Sequence, residues 1–200
     1  MIYSKISDVS SLSDDTINVN DTLKHLPIVG VLGSGTNLHG KRSTKLGLWL
    51  ATQPVHLLTG GGGGVMLSVS RAFTSASERR GLAIGVIPGR VDEAVNEYDS
   101  LEGYPNSWVE VPVFTHLPDS GRLGMEPTSR NHINVLSSNV LVILPGQMGT
   151  ASEAELAVRY NKPAIAWLDE RSQIIGLHPD VPVAKRFKQV KEFVSSNLPG

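Results

Sequence analysis

The clearest pattern along the chain is a series of short apolar runs separated by helical spacing. Ile28-Val29-Gly30-Val31-Leu32 is continuous and apolar, as expected for a strand buried on both faces of a parallel sheet. Residues 41–52 follow with Leu46, Trp49 and Leu50 on one face of a helix. Val55–Thr59 reads as a second strand, and the stretch from Val65 to Phe73 as a second helix. Leu82–Ile87 is a third strand, stopped by Pro88-Gly89. Residues 90–107 carry few apolar positions and predict a long loop, its acidic part from Asp92 to Glu102 a solvated lid or rim. Trp108–Val113 is a short strand, and 116–127 a loop rich in Pro and Gly. A helix near 130–138 leads into Val140–Leu144, the most apolar strand. The helix 151–160, with Ala154, Leu156 or Ala157, and Tyr160 inward, ends at Asn161-Lys162-Pro163. Ala164–Leu168 is the last strand expected, and 184–195 the last helix.

This alternation predicts an α/β fold: a Rossmann-like, doubly wound parallel sheet with helices on both faces and right-handed crossovers. Residues 1–26 are polar and predict an arm; residues 27–200 form a single domain with no internal repeat. Composition supports a packed core, with 40% hydrophobic and 18% charged residues. A net charge of −1 without a basic block argues against a nucleic-acid binder. The chain has no Cys, which removes disulfides, thiolate catalysis and Cys-based zinc. Its first residues lack the pattern of a signal peptide, and no apolar run nears the ~18 residues of a membrane span, so a cytoplasmic location without membrane contact is expected.

Candidate chemistry gathers in three loops, each after a strand. In an open α/β sheet the ligand crevice lies at the carboxyl ends of the strands. Gly33-Ser34-Gly35 is the first loop; it fits neither a P-loop nor a full GxGxxG, and an ordinary strand-to-helix turn is the plainer alternative. The second is Gly60 through Gly64, of which Gly61, Gly62, Gly63 and Gly64 are candidate ligand contacts. The alternative is a tight crossing of two backbones. The third, Pro145-Gly146-Gln147-Met148-Gly149-Thr150, opens a helix whose free N–H groups suit a phosphate. Thr150 and Glu153 match a capping box; otherwise Glu153 points its carboxylate into the crevice. Arg130, 15 residues before Pro145, returns to the same place and can fork onto a phosphate, unless it is simply solvated.

Together, Gly33-Ser34-Gly35, Thr59 to Met66, Arg130, and Pro145-Gly146-x-x-Gly149-Thr150-x-x-Glu153 resemble the LOG-like (lysine decarboxylase-like) Rossmann superfamily over roughly residues 27–168. Arg130 to Val142 and Gly149 to Ala157, followed by Lys162-Pro163, are similar to the molybdenum cofactor carrier branch. That resemblance implies a homo-oligomer, dimer or tetramer, that binds a phosphate-bearing pterin, shelters it and passes it to molybdoenzymes. The second branch is the phosphoribohydrolases that cleave nucleoside 5′-monophosphates to base and ribose 5-phosphate. Their Arg and Glu align with Arg130 and Glu153, which are catalytic only in that reading. Their Lys after the Arg is Asn131 here, and the second Gly of their Pro-Gly-Gly is Gln147. Both departures tilt the expectation towards carriage. With no Cys to ligate molybdenum, a carrier must grip the organic part. A Mg²⁺ accompanying the phosphate is compatible with this, though no carboxylate cluster calls for one. The histidines, His25, His39, His56, His116, His132 and His178, lack metal-site spacing. His56 is expected in the core, and His39 or His132 near the crevice.

Overall fold

The computed structural model describes residues 25–92, 94 and 97–199. The expected arm therefore lies almost wholly outside the described residues. The core is a seven-stranded, all-parallel sheet in the order β6-β3-β2-β1-β7-β8-β9. The strands are β1 (Ile28–Leu32), β2 (His56–Thr59), β3 (Ala83–Ile87), β6 (Val111–Phe114), β7 (Val140–Ile143), β8 (Ala164–Trp167) and β9 (Val183–Ala184). The helices are α1 (Gly40–Ala51), α2 (Gly64–Thr74), α3 (Asn131–Ser137), α4 (Met148–Arg159) and α5 (Phe187–Asn197).

The continuous apolar runs divide between two faces because side chains alternate along a strand. Val29, Val31, Val140, Val142 and Leu144 pack with Leu46, Leu50, Val65, Val69, Phe73, Val190 and Val194, beneath α1, α2 and α5. Leu32, Leu141 and Ile143 pack with Val135, Ala154, Leu156 and Ala157, beneath α3 and α4. Gly30 faces that second layer, where a Cβ would fall 2.6 Å from Leu141 Cδ2. The chain builds outward from β1 through β2 and β3 to β6, then crosses back to β7 on the other side of β1. The order thus reverses between β1 and β7, and a crevice opens beyond their carboxyl ends.

Several expectations are corrected. The long loop at 90–107 contains an antiparallel hairpin, β4 (Gly89–Asp92) with β5 (Glu97–Ser100). The large apolar side chains of its two strands, Val91 and Tyr98, are both exposed, so no buried-strand pattern marks it. The strand expected at 108–113 is β6, beginning at Val111; among the described residues it pairs with β3 alone, and an edge strand tolerates its Pro112. A further strand, β9, follows β8, too short to leave a pattern, and α5 starts at Phe187 rather than 184. The loop 116–127 holds a turn of 3₁₀ helix at Gly121–Leu123. Helix α4 begins at Met148, three residues before the expected start, with Gln147 as its N-cap. The capping box of Thr150 and Glu153 is therefore not formed: both lie inside the helix.

Candidate phosphate-binding crevice

A cavity of about 220 Å³ lies at the reversal point between β1 and β7. Its wall on the β1 side is Gly33, Ser34, Gly35 and Thr36; on the β7 side it is Gln147, Gly149, Thr150 and Glu153. Arg130 and Asn131 enter from the start of α3, and Gly60 and Tyr104 close a third side. The two central loops are tied together, since the Ser34 N–H donates to the Pro145 carbonyl at 3.1 Å. Ser34 is otherwise occupied in its own turn: its Oγ accepts from the N–H groups of Thr36 and Asn37, and its carbonyl accepts from the Val65 N–H.

Glycines serve this wall in different ways. Gly146 has no room for a Cβ, which would stand 2.7 Å from Thr150 Cβ and 3.0 Å from the Ser34 nitrogen. Thr150 is buried beneath that turn. Gly63 and Gly64 lie against the backbone of Gly35 and Thr36, where a Cβ on Gly64 would come within 2.6 Å of the Gly35 carbonyl carbon. Gly64 also has φ +59°. These two residues realise the close backbone crossing. Gly61, Gly62, Gly63 and Gly64 do not line the cavity; of the glycine run, Gly60 does. Pro145 and Gly146 line an adjoining depression with Asn37 and His39, and Met148 is half exposed beside the mouth.

Arg130 is the strongest electrostatic feature. It is only 5% exposed, yet Nε and Nη1 meet no acceptor among the described residues. The guanidinium lies over the Tyr104 ring, 5.5 Å from its centroid. The Asn131 amide nitrogen is likewise buried and unpartnered. Buried donors without acceptors carry an energetic cost, and since Arg130 and Asn131 both line the cavity, an acceptor-rich group bound there would relieve it. Helix α4 adds to this: its first turn has no upstream carbonyls to bond, and the earliest of its intrahelical bonds runs from the Ala151 N–H to the Gln147 carbonyl.

Glu153 projects from the second turn of α4 and is 8% exposed. Its Oε1 accepts from the Asn134 amide at 2.9 Å. Burial pushes its carboxyl above the usual range; the Arg130 charge and the Asn134 bond oppose this without cancelling it. Nothing in the sequence marks Asn134 as the partner of Glu153; their pairing depends on how α3 packs against α4. Lys162 holds the other end of α3, its Nζ donating to the carbonyls of Leu136 at 2.7 Å and Ser138 at 2.9 Å.

His132 does not reach the cavity. Its Nδ1 accepts from the Tyr160 hydroxyl at 2.7 Å, and Nε2 donates to the Glu126 carbonyl at 3.0 Å. His39 sits beside the neighbouring depression in a left-handed conformation, its pKa lowered by burial and by Arg42. His56 is half-buried, and its Nδ1 accepts from the Leu82 N–H. Among the described residues no group of three His, Asp or Glu is placed to hold a metal ion. Nor is any helix there long and apolar enough to cross a membrane. Tyr104 left no signal in the sequence, standing alone in a polar stretch.

The model of the SLOG cluster4 family matches residues 26–193. The chain belongs to that family. The SLOG match takes in every element of the sheet. Three solved structures are similar. The molybdenum cofactor binding protein from the phototrophic bacterium Rippkaea orientalis is 28% identical, with a TM-score of 0.64 over 86% of this chain and 98% of that one. The molybdenum cofactor carrier protein from Chlamydomonas reinhardtii is also 28% identical, with a TM-score of 0.58 over 86% and 99%. The structural-genomics protein TM1055, at 21% identity and a TM-score of 0.63 over 86% and 99%, shares the fold. No curated protein matches the chain at a significant level.

Proposed function

We propose that this SLOG protein binds the molybdenum cofactor by its phosphate and carries it, sheltered, to molybdoenzymes in the cytoplasm as a homo-oligomer. The observation that supports this best is the buried guanidinium of Arg130, with Nε and Nη1 unspent among the described residues, beside the similarly unspent amide of Asn131. The resemblance to two molybdenum cofactor proteins at 28% identity, over nearly their whole length, points the same way.

In this reading Arg130 and Asn131 take the phosphate oxygens, and the N–H groups of Met148, Gly149 and Thr150 complete the cradle. Gly33, Ser34, Gly35, Pro145, Gly146 and Gln147 form the wall on which the rest of the ligand lies, and Gly61, Gly62, Gly63 and Gly64 support it from behind. A cavity of about 220 Å³ is smaller than the ~300–1,000 Å³ of common small-molecule sites. It suits the phosphate end of the cargo, with the pterin lying across the mouth. Molybdenum receives no thiolate from a chain without Cys, so recognition falls on the organic part. Phosphate recognition itself needs no Mg²⁺ here, because Arg130 supplies the positive charge.

Anaerobic titration of the full chain with molybdenum cofactor tests the proposal. Saturable binding that slows oxidation of the pterin is expected, and its loss in Arg130→Met. Absence of binding under those conditions rejects it.

A second reading rests on Glu153. A buried carboxyl with a raised pKa beside an Arg suits proton transfer at the glycosidic bond of a nucleoside 5′-monophosphate. Release of adenine and ribose 5-phosphate from AMP, abolished in Glu153→Gln, would establish it.

A further inference from the structure

Of the glycine run after β2, Gly60 lines the cavity and the others stand behind it, and two of its members face side chains. A Cβ on Gly60 would fall 2.8 Å from Cζ of Arg130. A Cβ on Gly62 would fall 2.6 Å from Cζ of Tyr104. Between them Gly61 turns the backbone at φ +75°. The run is thus a flat floor on which a guanidinium and a phenol ring meet, one from the start of α3 and the other from the loop between β5 and β6.

That loop is fastened to the same floor. The Asn106 N–H donates to the Gly61 carbonyl at 2.7 Å, and its side-chain amide donates to the Gly62 carbonyl at 2.8 Å. Its Oδ1 accepts from the Trp108 N–H at 3.0 Å, and Asn106 is buried. Tyr104 is therefore held at a fixed height above the glycines, with the Arg130 guanidinium 5.5 Å from its centroid.

We propose that Tyr104 is a positioning residue for Arg130: its ring face, set by the Asn106 clasp, aims the guanidinium into the cavity without consuming its donors. The chemistry explains the choice of an aromatic. A carboxylate at the same place would also hold a guanidinium, but it would take two N–H groups and neutralise the charge. A ring face attracts the cation through its quadrupole and accepts no such fork. The donors remain free for a phosphate oxygen. This rests on the reading of the cavity as a phosphate site, and deepens it.

The test uses the full chain, labelled with ¹⁵N, as wild type, Tyr104→Phe and Tyr104→Leu, with circular dichroism to confirm folding. Two quantities are read: the ring-current shift of the Arg130 Nε–H resonance, and the affinity for inorganic phosphate. Tyr104→Phe keeps the ring and is expected to keep both, with affinity within about twofold. Tyr104→Leu is expected to lose the shift and to weaken phosphate about thirtyfold, the scale of a desolvated cation–π contact. A Tyr104→Leu protein that retains the shift, or binds phosphate as wild type does, overturns the proposal. So does a Tyr104→Phe protein as impaired as Tyr104→Leu. If wild type itself fails to bind phosphate, the cavity reading falls, while the Nε–H shift still decides whether Tyr104 sets Arg130.

Discussion

Replacing Arg130 with Met separates what this residue costs the empty fold from what it offers a ligand. In the fold, Nε and Nη1 are buried without acceptors among the described residues. Each such donor costs about 1–3 kcal/mol, so the pair costs about 2–6 kcal/mol. The contact with Tyr104 returns about 2 kcal/mol. Met follows the path of the Arg stem with an unbranched apolar chain. The difference leaves Arg130→Met more stable than wild type by about 0–4 kcal/mol in the absence of ligand. With ligand the balance reverses. Two charge-assisted hydrogen bonds at about 1.5–3 kcal/mol each amount to a loss of roughly 10²–10⁴ in affinity. Urea unfolding with a comparison of slopes measures the first quantity, and the anaerobic titration the second. Were Arg130→Met to unfold more easily by over about 2 kcal/mol at an unchanged slope, the guanidinium would be a satisfied structural group and the argument would fail.

Other expectations concern the same region and its supports. The folded state binds the Glu153 proton more tightly than the unfolded chain, whose carboxyl titrates near the usual 4.5. The stability this gives the ligand-free protein is fully present below that value and is lost as pH rises through the folded pKa. Glu153→Gln is expected to flatten that decline in urea melts run across the range; an unaltered slope rejects the assignment. Gly30→Ala drives a methyl against Leu141 in the central strand and is expected to cost about 1–3 kcal/mol, so a wild-type urea midpoint would contradict the packing described. Lys162→Met removes the bonds to the Leu136 and Ser138 carbonyls and is expected to lower stability by about 1 kcal/mol, with faster amide exchange in α3. Exchange confined to other elements would show that Lys162 does not anchor this helix.

The sheet was legible in the sequence because a strand buried on both faces leaves an unbroken apolar run. Val140 to Leu144 is the plainest case, divided in the fold between the two cores. The hairpin of β4 and β5 was not legible, since its Val91 and Tyr98 stay exposed and no burial marks it. The start of α4 was misplaced because Thr150 and Glu153 fit a local capping rule, while in the fold Glu153 bonds Asn134 and Thr150 is buried under the turn at Gly146. At the cavity, Arg130 and the loop 145–149 could be paired from spacing alone. Asn134 as the partner of Glu153, and Tyr104 as that of Arg130, could not. Both depend on which side chains meet across a crossover, and no local periodicity encodes that.

The floor formed by Gly60 and Gly62 also sets terms for how such sequences can drift. Each glycine is empty of side chain because another residue's side chain fills the space, so mutation at one position is conditional on the other. A lineage that loses Tyr104 frees Gly62 to acquire a Cβ, and one that loses Arg130 frees Gly60. Variation at positions 60 and 62 should therefore track these two distant residues across relatives, and a sequence that keeps both glycines after losing both partners would show that something else holds them.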